Sequence, residues 1–97
     1  MATYIMLLKW TQAGLSKIKE LPQRLEKSRE TFKSVGAELK AYYFTMGRYD
    51  AIALVEGPSD EAIGKAVLTI GQVGAVNIET LKAFPEAEGY EIIKSLP

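Results

Sequence analysis

Apolar side chains recur along this 97-residue chain in two rhythms. Residues 2–10, ATYIMLLKW, keep apolar groups on both alternating sets, with Tyr4, Met6, Leu8 and Trp10 on one and Ile5 and Leu7 on the other. That pattern predicts a central strand covered on both faces. Residues 11–21 read as a connection containing at most one helical turn, around Leu15 to Leu21. From Pro22 to Val35 the spacing becomes helical, with Leu25, Ser28, Phe32 and Val35 on one stripe. Arg24, Lys27, Glu30 and Lys33 fill the solvated remainder. Pro22 suits a helix start, where its missing N–H would be unpaired anyway, and Gly36 suits the end.

The second half repeats the sequence strand, helix, strand. Residues 37–46 predict a strand whose Glu38 and Lys40 mark an exposed edge and whose Tyr42, Tyr43 and Phe44 form the buried end. Gly47 and Arg48 turn the chain into a third strand, Tyr49 to Glu56, again apolar on both sets. Ser59 is the expected N-cap of the next helix, with Asp60 and Glu61 where the helix dipole favours acids. Ala62, Ile63, Ala66, Val67 and Ile70 give its buried stripe, and Gly74 its stop. Residues 75–83 predict a fourth strand, followed by a short helix, Glu86 to Ser95, with Tyr90, Ile92 and Ile93 available to pack.

The order βαββαβ over 1–97 predicts one α+β domain of ferredoxin-like type. Its four antiparallel strands run in the order 4-1-3-2, with both long helices on one face because crossovers are right-handed. The other sheet face then carries apolar side chains that neither long helix covers, leaving a partner or the C-terminal segment with Tyr90, Ile92 and Ile93 to cover them. A patch of that size is unusual on a monomer, so the expected assembly is a homodimer, or a larger even-numbered oligomer, paired sheet to sheet. The expected register puts Ala51, Ala53 and Val55 on that open face and Ile52 and Leu54 under the helices.

Composition narrows the chemistry. Hydrophobic residues make up 47% of the chain, enough for a core and an interface. Twelve basic and twelve acidic residues cancel, which argues against non-specific nucleic-acid binding. The strands also lack the basic-aromatic motif of an RNA-recognition sheet. Residues 1–49 carry nine Lys/Arg and four Asp/Glu, and residues 50–97 three and eight. Either one surface is basic, or the two halves interleave in space and neutralise each other, which is the commoner arrangement. Without Cys or His there are no disulfides, no thiolate or imidazole chemistry and no expected metal site, and no cofactor is expected either. No secretory or membrane-spanning pattern is present, so the expected compartment is the cytoplasm.

Residues 43–84, YFTMGRYDAIALVEGPSDEAIGKAVLTIGQVGAVNIETLKAF, resemble the GYD domain family. Gly47, Tyr49 and Asp50 match its G-x-Y-D turn. Glu56, Pro58 and Asp60 match before the second helix, Gly74 after it, and Thr80-Leu81 with Ala83-Phe84 in the last strand. Gly14, Pro22, Arg24 and Gly36 resemble the family more loosely, so the likeness covers nearly the whole chain. It implies a dimeric α+β barrel, two such domains joined through their sheets, and no particular activity.

The candidate site residues are Trp10, Tyr43, Tyr49 and Asp50. Together with Tyr42, the three aromatic residues offer apolar walls with polar handles for a small aromatic or quinone-like ligand in an inter-sheet cavity. The plainer account is core and dimer packing. Tyr49 and Asp50 would be the acid-base pair of a cofactor-independent isomerase or oxygenase acting on a small aromatic or keto substrate. Asp50 is better placed for the commoner structural role, accepting backbone N–H bonds at the turn. Arg24 could hold a carboxylate, pair with Asp50, or simply be solvated. No catalytic residue is assigned.

Overall fold

A computed structural model describes residues 1–97. Strand β1, Ala2–Trp10, leads into a short helix α1, Gln12–Ser16, and a 3-10 turn, Ile18–Glu20. Helix α2 spans Leu21–Ser34, β2 Glu38–Phe44, β3 Ala51–Gly57, α3 Asp60–Gly71, β4 Val76–Ala83 and α4 Glu86–Lys94. The sheet order is β2-β3-β1-β4, antiparallel throughout, as the pattern predicts. This order places each strand of the first half beside strands of the second, so the two oppositely charged halves do interleave within the sheet.

The core lies between the sheet and the two long helices. Tyr4, Met6 and Leu8 of β1 and Ala51, Ala53 and Val55 of β3 are buried with Phe32 of α2 and Ile63 and Ala66 of α3. The expected parity of β3 is therefore reversed: Ala51, Ala53 and Val55 lie under the helices, and Ile52 and Leu54 are on the open face. The register ties Leu7 to Ile52 and Ile5 to both Leu54 and Leu81, so these side chains share that open face. The physical reason is packing distance. Small residues on the central strand let α2 and α3 approach, while the bulk beneath them comes from β1.

Local signals are honoured where they carry a clear mechanism. The Ser59 hydroxyl accepts the Ala62 amide at 3.1 Å and caps α3. Gly47 has φ +118, in the region closed to most side chains, which explains the turn between β2 and β3. A bulge at Lys40 shifts the β2–β3 register, so that Leu39 pairs with Val55 and Ala41 with Leu54. Leu39 and Tyr42, three positions apart, therefore face the same side. The expected buried end of β2 is only partly so. Tyr42 is half-buried, but Tyr43 and Phe44 are 64% and 67% exposed, because β2 is an edge strand with no element beyond it.

Helix α4 has no buried residue. Tyr90, Ile92 and Ile93 stay about half exposed, and the molecule is elongated, 51 by 31 by 18 Å. The open sheet face is thus not covered by the chain's own tail.

Candidate functional site

Four features of the chain offer polar groups in an apolar setting, and the predicted residues are divided among them.

At the β2–β3 turn the Thr45 amide donates to the Asp50 carbonyl (3.0 Å), and the Thr45 hydroxyl donates to the Tyr49 carbonyl (2.7 Å). The Asp50 amide donates to the Leu8 carbonyl at 2.8 Å, and its carboxylate accepts the Trp10 amide at 2.9 Å. Asp50 therefore extends the β1–β3 ladder by one rung with its side chain. That is a structural role, held on the neighbouring strand rather than on the turn itself. The Tyr49 hydroxyl donates to the Glu79 carboxylate at 2.7 Å. That bond, with the nearby negative charge, raises the phenol above its ordinary value of 10.0. Tyr49 is thus held protonated, its hydroxyl hydrogen directed at Glu79, and it shares no hydrogen bond with Asp50.

The open face gathers Ile5, Leu7, Ile52 and Leu54, all half-buried, with the more exposed Leu81 and Tyr43 at its sides. Glu79 pairs with Leu7 in the register, so the Tyr49–Glu79 bond bridges across this face near its end. Tyr43 and Tyr49 are brought to one side of the sheet. Trp10 is on the other.

A cavity of about 580 Å³ is on the helical side, between α2, α3 and the sheet. Of the four predicted site residues it takes only Trp10; Tyr42 and Arg24, also singled out from sequence, line it as well. Trp10 stacks obliquely toward Phe44 at 6.4 Å, and Phe44 meets Tyr42 edge-on at 5.4 Å. Burial pushes the Tyr42 phenol up, the Arg24 guanidinium opposes that, and Asp50 adds to it. Arg24 makes no ion pair with Asp50; its Nη2 donates to the Gly14 carbonyl at 3.3 Å.

A smaller hollow, about 240 Å³, holds a network that the sequence does not announce. The Tyr4 hydroxyl donates to Asp60, and Lys82 Nζ lies 3.1 Å from the same carboxylate oxygen. The bond to Asp60 and burial of the ring raise Tyr4 to about 12, and the bonds from Tyr4 and Lys82 lower Asp60. Asp60 stands out in the sequence as a first-turn acid and as one of the matches to the GYD family, neither of which names its partners. Its partners are 56 and 22 positions away, so no local spacing could identify them. Three or more metal-ligating side chains converge nowhere, and no helix is long and apolar enough to cross a membrane.

A family model described as the GYD domain matches residues 4–93. A protein of Thermus thermophilus named glutamine synthetase and cystathionine beta-lyase binding protein is 30% identical over 89 residues, 91% of this chain and 94% of its own. Among solved structures, a feast or famine regulatory protein from M. tuberculosis complexed with L-methionine superposes with a TM-score of 0.66 at 16% identity. That match covers 88% of this chain and 51% of the other, so this chain spans about half the length of the regulatory protein. A crystal structure of a Thermus thermophilus protein has a TM-score of 0.56 at 24% identity, covering 88% of this chain and 95% of that one. At these identities the two structures share a ferredoxin-like fold with the chain.

Proposed function

Because the chain belongs to the GYD domain family, we propose that it is a small binding protein. It would act as a homodimer, or a larger even oligomer, joined through the helix-free face of its sheet. The observation that carries this reading is the apolar strip of Ile5, Leu7, Ile52 and Leu54, which neither the long helices nor α4 covers. Leaving such a strip in water forgoes about 25 cal/mol for each Å² of apolar surface. A second copy of the same face removes it from water by two-fold symmetry.

The proposed clients are proteins, and the support is the name of the Thermus relative, which binds glutamine synthetase and cystathionine beta-lyase. The proposed compartment is the cytoplasm, where enzymes of amino-acid metabolism work. Between paired sheets Tyr43 and Tyr49 would line a shared space, the proposed seat of a small ligand. Trp10 and Asp50 would act beside it, holding the end of β1 to the start of β3.

Light scattering at micromolar concentration tests the assembly. The expected mass is an even multiple of 10.7 kDa, and a clean mass of 10.7 kDa overturns the reading. Titration of purified glutamine synthetase and cystathionine beta-lyase from the source organism, followed by interferometry, tests the clients. Saturable binding of either supports the proposal, and no binding of either refutes it.

A further inference from the structure

The helical-side cavity is separate from the proposed interface, on the opposite side of the sheet. Its volume, about 580 Å³, is in the range of small-molecule sites. It exists because of two local features. The Ala53 side chain leaves space on the sheet floor. In addition, the α1 segment, which lines the cavity with Ala13 and Ser16, is pinned to the start of β4. The Thr11 amide donates to the Ala75 carbonyl at 3.1 Å, and the Thr11 hydroxyl donates to the Gly74 carbonyl at 2.6 Å. Gly14 lies so close to Ala75 that a Cβ there would sit 1.9 Å from its carbonyl oxygen.

The polar groups of this cavity are unusual in what they lack. Lys17, Arg24 and Lys27 line it with one carboxylate, Glu20. None of the three cations is in an ion pair, although four other pairs form on the surface. The guanidinium of Arg24 spends one donor on the Gly14 carbonyl and keeps the rest. The Tyr42 hydroxyl has no hydrogen-bond partner within the chain, yet its ring is half-buried and it feels the Arg24 charge. A guanidinium and a phenol thus line the same apolar cavity, both with donors to spare, and the guanidinium charge reaches the phenol. Planar carboxylates match an Arg fork, and a neutral group leaves its charge uncompensated.

We infer that this cleft binds a small carboxylic acid with an apolar tail. The head group lies between Arg24 and Tyr42, and the tail runs over Met6, Leu8 and Ala53 against Phe32. The chain's own α4 is not the occupant. Strand β4 starts beside Trp10 and ends beside Thr3, so α4 leaves from the far end of the sheet.

Trp10, the single tryptophan, lines the cleft and reports on it directly. Decanoate and 1-decanol, titrated below the micellar range into the full chain, are the probes. The expected result is a saturable change in Trp10 emission with decanoate, and binding of decanol roughly tenfold weaker or worse. Arg24→Gln is expected to erase that preference. It also removes the bond to Gly14, so Tyr42→Phe, which breaks no bond within the chain, carries the test if the first variant does not fold. Tyr42→Phe should weaken decanoate roughly fivefold and leave decanol unchanged. Equal affinity for acid and alcohol, or no saturable change with decanoate, overturns the proposal. So does saturation by a peptide of residues 84–97 but not by decanoate, which would make the cleft a seat for a second copy. The mass of the assembly is read separately, so a monomer that binds decanoate would refute the interface and leave the cleft standing.

Discussion

The two faces of the sheet are built from the same strands and treat them in opposite ways. Under the helices β3 presents Ala51, Ala53 and Val55, all buried. One residue out of phase, the same strand presents Ile52 and Leu54, half-buried with nothing of their own chain above them. The bulkier branched residues are thus on the side that the single chain leaves open. A strand with one face meant for water would alternate apolar with polar residues, leaving that face polar. This one is apolar where it is open, the feature on which the proposed sheet-to-sheet pairing rests.

Adjacent substitutions break or sharpen that contrast. Val55→Lys places an uncompensated charge in the core, where it costs several kcal/mol, and the expected outcome is loss of the folded state by circular dichroism. Leu54→Lys, one position away, should keep the far-ultraviolet spectrum while the light-scattering mass falls to 10.7 kDa. An unfolded Leu54→Lys chain, or one of unchanged mass, would mean that the open face is something other than an interface.

A subtler comparison concerns pH. Tyr4 is raised in the folded state to about 12 from 10.0, so its bond to Asp60 contributes fully below pH 10 and is lost between about 10 and 12. Asp60 is lowered from 3.8, so its contribution is present above that value and fades as pH falls through the lowered one. Urea midpoints measured from about pH 8 to 12 should fall more steeply for the native chain than for Tyr4→Phe. Parallel curves would show that the bond contributes nothing to stability. The smallest effect is expected from α4. Removing residues 86–97 from the Leu54→Lys chain should change its stability by less than about 0.5 kcal/mol, since α4 buries nothing on its own body.

Much of this was legible in the sequence, and the failures have definite causes. Helix limits followed from Ser59 and Gly36, each with a local mechanism, whereas α3 stops at Gly71, three residues before the expected Gly74. The strand order followed from the crossover rule. The parity of β3 was not legible, because a strand apolar on both sides carries no sign in its alternation, and alanine fits either a core or an interface. The bulge at Lys40 moved Tyr42 to the helical side without any glycine to announce it. Trp10 and Tyr43 looked like walls of one pocket because each is aromatic and near a strand end. Their faces depend on a register that only long-range pairing sets. The network of Tyr4, Asp60 and Lys82 is long-range in the same sense.

The bulge in β2 also bears on whether the proposed assembly would stay closed. A regular edge strand offers a free ladder to any other strand, and a protein with an apolar sheet face and two free edges risks fibrils. At Lys40 the ladder skips a residue, and the Lys40 ammonium lies 3.6 Å from the Glu38 carboxylate. The edge is kinked and carries charge there, so a strand arriving sideways finds a broken template. Lateral extension through β2 is discouraged, while face-to-face stacking stays open. A closed, countable assembly is what such a surface favours.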